Sequence, residues 1–330
     1  MRGETARRSQ PIVSRFSVVL VAVAAIMWAT DVYFRSQLVT HLTASQIVVA
    51  EDALITLFVL PLLFSRWSEV RGLGSNGWLA VVIIAVGPQA IATVLFTASF
   101  AFGNYQMTYV LQQTQPLIAI SLAWLVLGER RRPWFWAAVF VAMAGVYMVV
   151  FAPDLSSPLA SLKSGQLLAA LEALGAAVLW ASGTVLGRVA LSRISFPAMT
   201  GLRFSLALPV LVAIVLVQNG IGGFSHYRPT DLVPNLLAIA LIPGLLALLL
   251  YYRGLASTPA SIATIAEMAY PVAITLVYFI PPPIGFGKQV LPFQIVGTML
   301  LMAVILVLNW SKEQPQPAVV TRREPKLAAS

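Results

Sequence analysis

Cysteine is missing altogether from these 330 residues, histidine occurs only twice, and just 10% of the chain is charged. Without cysteine there is no disulfide framework, no thiol nucleophile and no thiolate metal site. His41 and His226 fall in polar breaks with no cysteine beside them, so no metal and no cofactor is expected. No serine-histidine pair falls inside an apolar stretch either, and the chain does not read as an enzyme. Soluble domains carry about a quarter of charged residues. At 10% charged and 59% hydrophobic, this chain lacks the polar surface that a water-soluble fold requires.

What is present is a succession of apolar runs, with a mean hydropathy of +0.85. A bilayer core about 30 Å thick takes about 20 such residues per helix. The pattern predicts spans near 16–37, 46–65, 77–99, 105–127, 133–151, 165–188, 196–218, 232–255, 259–281 and 291–310. The expected fold is therefore all-α and integral to the membrane, with ten transmembrane helices and tails at 1–15 and 311–330. The basic N-terminus followed by FSVVLVAVAAIMWA has the outline of a signal peptide, but no small-residue cleavage site follows, and it reads as the uncleaved first span.

The net charge of +9 is scattered through loops, which speaks against nucleic acid as a partner. It speaks for orientation instead. With both termini cytoplasmic, 16 of the 21 Lys and Arg fall on the inner side, as the positive-inside rule asks. A multi-pass protein of the cytoplasmic (inner) membrane is expected, with the lipid bilayer as its medium and a homodimer left open.

The two halves resemble each other. Ala24–Thr30 (AAIMWAT) realigns with Ala176–Ser182 (AAVLWAS), superposing Trp28 on Trp180. Gly87–Pro116 lies without a gap over Ile242–Pro271, pairing Pro88 with Pro243, Gln112 with Glu267, Gln115 with Tyr270 and Pro116 with Pro271. An odd number of spans per copy forces the second copy into the opposite orientation. Two inverted five-helix repeats, 16–151 and 165–310, are expected, joined by the Ser/Pro-rich segment Ala152–Ser164.

These features resemble the drug/metabolite transporter superfamily, specifically EamA-type ten-helix transporters. The likeness rests on the tandem repeat, on QTQPLIAISLAWLVLGERRR (Gln113–Arg132) with its mid-helix proline and GER turn, and on a tryptophan-centred first helix in each half. The second half departs from the pattern, with PPPIGFGKQ (Pro281–Gln289) where another glycine-acid turn would fall. The resemblance implies a carrier of metabolites or drugs, more often an exporter than an importer.

A charge at the bilayer centre costs about 2.5–3.5 kcal/mol on insertion scales, so each needs a cavity or a partner. The candidates are Asp31, Glu51, Asp52, Glu172, Arg203 and Glu267. Glu51, Asp52 and Glu172 are placed within about two turns of the outer face, where they reach water by snorkelling, and Arg203 is similarly near the inner face. Glu267 lies deeper. Tyr270 stands one turn further on the same face, and Gln112 and Gln115 repeat that spacing, so the two helices are expected to offer facing polar patches at the midplane. Pro116 and Pro271 each release a carbonyl one turn back, for a substrate or water to use. The plainer alternative for the glutamines is interhelical hydrogen bonding. Trp28 and Trp180 are expected in the cavity wall, whereas Tyr251 and Tyr252 read as packing.

The expected function is secondary active transport of a small-molecule solute by alternating access: export of small metabolites, amino-acid-like solutes or drugs, with Glu267 as recognition or proton-coupling group. The site residues are Glu267, Gln112, Gln115, Tyr270, Trp28, Trp180, Asp31 and Arg203. A membrane scaffold or sensor is the alternative, and a lipid-acting enzyme a weaker one, since the acids are spread over several helices. GLGSNG (Gly72–Gly77) fits G-x-G-x-x-G but follows no strand and is read as a loop.

Overall fold

A computed structural model of the chain describes residues 15–100, 108, 111–112, 114–128, 133–150, 166–227, 229–282, 287 and 291–310. Most of the expected tails, the linker Ala152–Ser164, the turn beyond Gly128 and much of Pro281–Gln289 lie outside the described residues. Among the described residues all regular structure is helical.

The first half runs α1 (Arg15–Ala29), α2 (Asp31–Leu38), α3 (Ala44–Ser65), the short α4 (Trp67–Arg71), α5 (Gly74–Ile84), a π-helical segment Ala85–Ile91, α6 (Ala92–Ser99), α7 (Gln115–Leu127) and α8 (Pro133–Val150). The second runs α9 (Gln166–Leu191), α10 (Phe196–Asn219), a 3-10 turn Ile221–Ser225, α11 (Pro229–Ile239), a second π-helical segment Ala240–Leu246, α12 (Ala247–Leu255), α13 (Ala260–Ala266), α14 (Ala269–Phe279) and α15 (Pro292–Trp310). Among the described residues, six continuous segments are long and apolar enough to cross a bilayer: Phe16–Leu38, Ala44–Ser65, Gly74–Ser99, Leu167–Leu191, Phe196–Asn219 and Leu232–Leu255. Leu117–Val126, Trp134–Gly145 and Ile295–Val304 are shorter apolar helices. Of the other expected spans, the fourth is described only in part and the ninth is interrupted between α13 and α14.

Local chemistry explains the irregular places. Each π-helical segment has seven residues and carries its proline, Pro88 or Pro243, in fourth position. Proline donates no backbone hydrogen bond and its ring crowds the preceding turn, and widening the helix accommodates both without breaking the span. Thr43 and Gln46 form a reciprocal capping box that starts α3. Gly128, at φ 66°, ends α7 in the left-handed conformation that glycine adopts without a Cβ penalty.

The interior is built where α3 crosses α10 and where α1 lies along α12. Val21, Ile55, Leu202 and Tyr252 are buried in one cluster, and Ala25, Phe96, Ala176 and Tyr270 in another. Small residues set the spacing: a Cβ on Gly254 of α12 would stand 2.6 Å from the Ser17 carbonyl oxygen of α1. The outside is apolar as well. Phe58, Leu125, Phe140 and Val217 are exposed, as a surface facing lipid rather than water requires.

Candidate functional site

The helices surround a partly open cavity of about 170 Å³, and all eight expected site residues line it: Trp28, Asp31, Gln112, Gln115, Trp180, Arg203, Glu267 and Tyr270. Arg35, Glu51, Gln89, Phe96, Thr184 and Tyr251 are also part of its polar and aromatic wall. Three carboxyl groups and two guanidinium groups therefore converge on a space walled by aromatic rings.

Glu267 stands where the expected ninth span breaks. Pro271, four residues on, has no N–H to give the Glu267 carbonyl, so α13 ends at Ala266 and α14 restarts at Ala269. The carbonyl is taken up locally: Tyr270 N–H donates to Glu267 O at 2.9 Å. This corrects the expectation that the proline leaves it open for a substrate. The Glu267 side chain turns into the cavity, where Oε2 accepts from Gln115 Nε2 at 2.9 Å, and Gln112 Nε2 donates to Gln115 Oε1 at 3.3 Å. The two polar patches thus meet. Glu267 Oε1 is buried and makes no well-formed hydrogen bond among the described residues, although the Tyr251 hydroxyl stands close enough to interact with the carboxyl group. An unmet acceptor in such a place is costly, and a donor arriving in the cavity would satisfy it.

The aromatic wall is fixed by specific contacts. Trp180 Nε1 donates to the carbonyl of Pro88 at 2.9 Å, using an oxygen of the first π-helical segment. Gly183 permits this approach, since a Cβ there would lie 2.8 Å from Pro88 Cβ. Trp28 packs on Tyr251 with ring centroids 5.1 Å apart, and Trp180 on Phe96 at 5.0 Å. The Tyr251 hydroxyl bonds the Thr184 hydroxyl at 3.0 Å.

A second group of charges forms one end of the cavity. Arg35 donates to both oxygens of Asp31 at 2.7 Å, to Glu51 Oε2 at 2.9 Å and to the Thr97 hydroxyl at 2.9 Å. Arg35 falls at the end of the first expected span, where a cation would reach water, yet it is 3% exposed and serves two acids at once. Glu51 and Asp52 are buried too, so water reached by snorkelling is not what holds them. A planar fork with five donors suits this task, and it is worth keeping because a lone acid left buried is far more costly than the pair.

Arg203, expected near the inner face, reaches the cavity from α10. Its Nε donates to Gln89 Oε1 at 2.6 Å and its Nη1 to the Tyr252 hydroxyl at 2.9 Å. Gln89 Nε2 then donates to Asp52 Oδ1 at 3.1 Å. Tyr252, read from sequence as packing, is a hydrogen-bond acceptor as well as core. Gln89 was missed because one glutamine beside a proline inside an apolar run carries no pattern. Glu172 stays away from the cavity, and one of its oxygens lacks a partner among the described residues.

Apolar helices with lipid-compatible exteriors, gathered round an internal cavity that holds buried charges, define a multi-pass membrane protein that handles a small solute. The chain belongs to the EamA-like transporter family, which it matches over residues 15–151 and again over 167–310. It is 28% identical over 299 residues to the riboflavin transporter ImpX of Fusobacterium nucleatum, covering 88% of this chain and 96% of that one. It is also 28% identical over 243 residues to the uncharacterized transporter YwfM of Bacillus subtilis, covering 73% of this chain and 76% of that one. A crystal structure of a protein 17% identical in sequence superposes with a TM-score of 0.70, over 91% of this chain and 100% of its own, a likeness of fold alone.

Proposed function

We propose that this chain is a secondary active transporter of the cytoplasmic membrane, in which two inverted five-helix repeats rock about the cavity and expose it alternately to either side. Both termini face the cytoplasm, and the physiological direction is export. The solute is a small organic molecule that presents an N–H or ammonium donor on an aromatic or otherwise flat body. The observation that carries this reading is the Glu267 carboxyl group, held by Gln115 through one oxygen while the other, near the Tyr251 hydroxyl, makes no well-formed hydrogen bond in a cavity that Trp28 and Trp180 also line. A flat solute would lie against the tryptophans and bring its donor to Glu267 Oε1.

Size constrains the choice. Sites for drug-sized ligands measure roughly 300–1,000 Å³, so the present cavity of about 170 Å³ suits a solute of amino-acid dimensions. A tricyclic solute fits only with the repeats further apart. Riboflavin, which the Fusobacterium relative is named for transporting, is the first probe because it combines a flat heteroaromatic body with an imide N–H. The test is counterflow of labelled against unlabelled riboflavin in proteoliposomes. Exchange above that of empty liposomes supports the reading. Its absence removes riboflavin and leaves the smaller, amino-acid-like solutes.

A further inference from the structure

We infer that Asp52 is the proton-coupling residue of this transporter and that Gln89 relays its protonation state to Arg203 in the cavity wall. The inference rests on the transporter reading above and separates two tasks: Glu267 recognises the solute, and Asp52 carries the proton.

Asp52 shares with Glu267 the lack of a direct cation, but unlike Glu267 it is fully buried and stands behind the cavity wall rather than in it. It is 0% exposed, Oδ1 accepts only from the neutral Gln89 amide, and Oδ2 has no partner among the described residues. The cation that acts on it, Arg203, and the neighbouring Arg35 are both committed elsewhere. Arg35 of α2 is held by Asp31, Glu51 and Thr97, and Arg203 of α10 by Gln89 and Tyr252. Glu51, its neighbour on α3, adds a like charge already spoken for by Arg35, and Glu267 of the second half lines the cavity beyond Gln89. Thr56, one turn along α3, also has a buried hydroxyl with no partner among the described residues. A carboxylate buried without a direct cation is tolerated by neutralisation, and a proton on Oδ2 is the simplest means.

The relay follows from amide geometry. Gln89 now points its NH₂ at Asp52 and its oxygen at Arg203. When a hydronium ion on one side delivers a proton, one of its O–H bonds breaks, a lone pair of Oδ2 makes the new bond, and water is left behind. In the relay the new hydroxyl donates to Gln89 Oε1, and the amide turns to receive it. The NH₂ then faces the Arg203 guanidinium, donor against donor, and Arg203 is released towards the cavity. Returning the proton to water on the opposite side restores the first arrangement. One proton crosses per cycle, and its presence is read at a residue that lines the solute's path.

The test uses the full chain in proteoliposomes with riboflavin as probe, comparing wild type, Asp52→Asn and Asp52→Glu. Expected for wild type is counterflow without a gradient, and accumulation under an imposed pH difference of about tenfold per pH unit at one proton per solute. Asp52→Asn keeps counterflow while its accumulation ratio falls to about one, and Asp52→Glu recovers part of the accumulation. Accumulation by Asp52→Asn equal to that of wild type overturns the inference, as does wild-type counterflow with no response to the gradient, and both leave transport itself standing. If wild type moves no riboflavin, that probe fails rather than Asp52, and a measurement without solute decides. Acidification of wild type should add an infrared C=O band of a protonated carboxyl that Asp52→Asn lacks, and an identical band in both proteins overturns the inference.

Discussion

Gln115 Nε2 donates to Glu267 Oε2 at 2.9 Å, tying α7 of the first half to the break between α13 and α14 in the second. The donor fixes the carboxyl group's rotamer, and under the proposed function its other oxygen is the one that meets the solute. Replacing Gln115 by leucine removes a hydrogen bond to a charged group, worth about 1.5–3 kcal/mol. At 1.4 kcal/mol per factor of ten, the half-saturating solute concentration should rise by about 10- to 100-fold. Transport kinetics of Gln115→Leu and wild type in proteoliposomes at matched protein levels check this.

Arg35→Leu should be the most damaging single change around the cavity. It strips Asp31 and Glu51 of their common cation, and breaking a buried pair from one side costs about 3–5 kcal/mol. Low yield of monodisperse protein and a lowered thermal midpoint in detergent are expected. Arg35→Lys should rescue only part, since an ammonium does not reproduce the bidentate grip on Asp31.

Part of this site is legible in the sequence. The internal repeat singles out Trp28 with Trp180 and Gln112 with Glu267, because duplicated positions in an otherwise uniform apolar run stand out. The burial of Arg35 is not legible, since a cation at the end of a span reads as snorkelling and only the fold brings Glu51 and Thr97 to it. The π-helical segments are equally hidden: a proline in a span announces an irregularity but not whether the helix kinks, breaks or widens. The Asp52–Gln89–Arg203 chain joins three separate helical stretches, and no periodicity links them.

Outside the membrane-spanning segments, Glu69 ties the α4 region to the start of α10. Its Oε2 accepts from the Ser195 backbone N–H at 2.7 Å, and that bond, with Arg66 nearby, holds its carboxyl below the usual range. A depressed folded-state value gives stability that is complete above the ordinary glutamate value of about 4.3 and is lost as pH falls through the folded value. Thermal midpoints of wild type and Glu69→Gln should therefore differ most at neutral pH and converge in acid. A constant difference across that range would contradict the assignment.

Gly183→Ala should disturb the aromatic wall without touching a polar group. Its Cβ meets Pro88 at 2.8 Å, and a proline ring cannot swing aside. Overpacking of this kind costs about 1–3 kcal/mol. The displaced α9 would also stretch the bond from Trp180 to the Pro88 carbonyl. A lower thermal midpoint together with a red shift in tryptophan emission is the expected signature.

The central claim is that a solute crosses the membrane past Glu267, and its most direct test is untargeted mass spectrometry of cells and medium. Strains expressing wild type or Glu267→Gln at equal membrane levels are compared. A solute redistributed by wild type alone, and flat in the Glu267→Gln strain, is the result expected. Equal redistribution by both proteins would contradict it, leaving a transporter whose recognition site lies elsewhere.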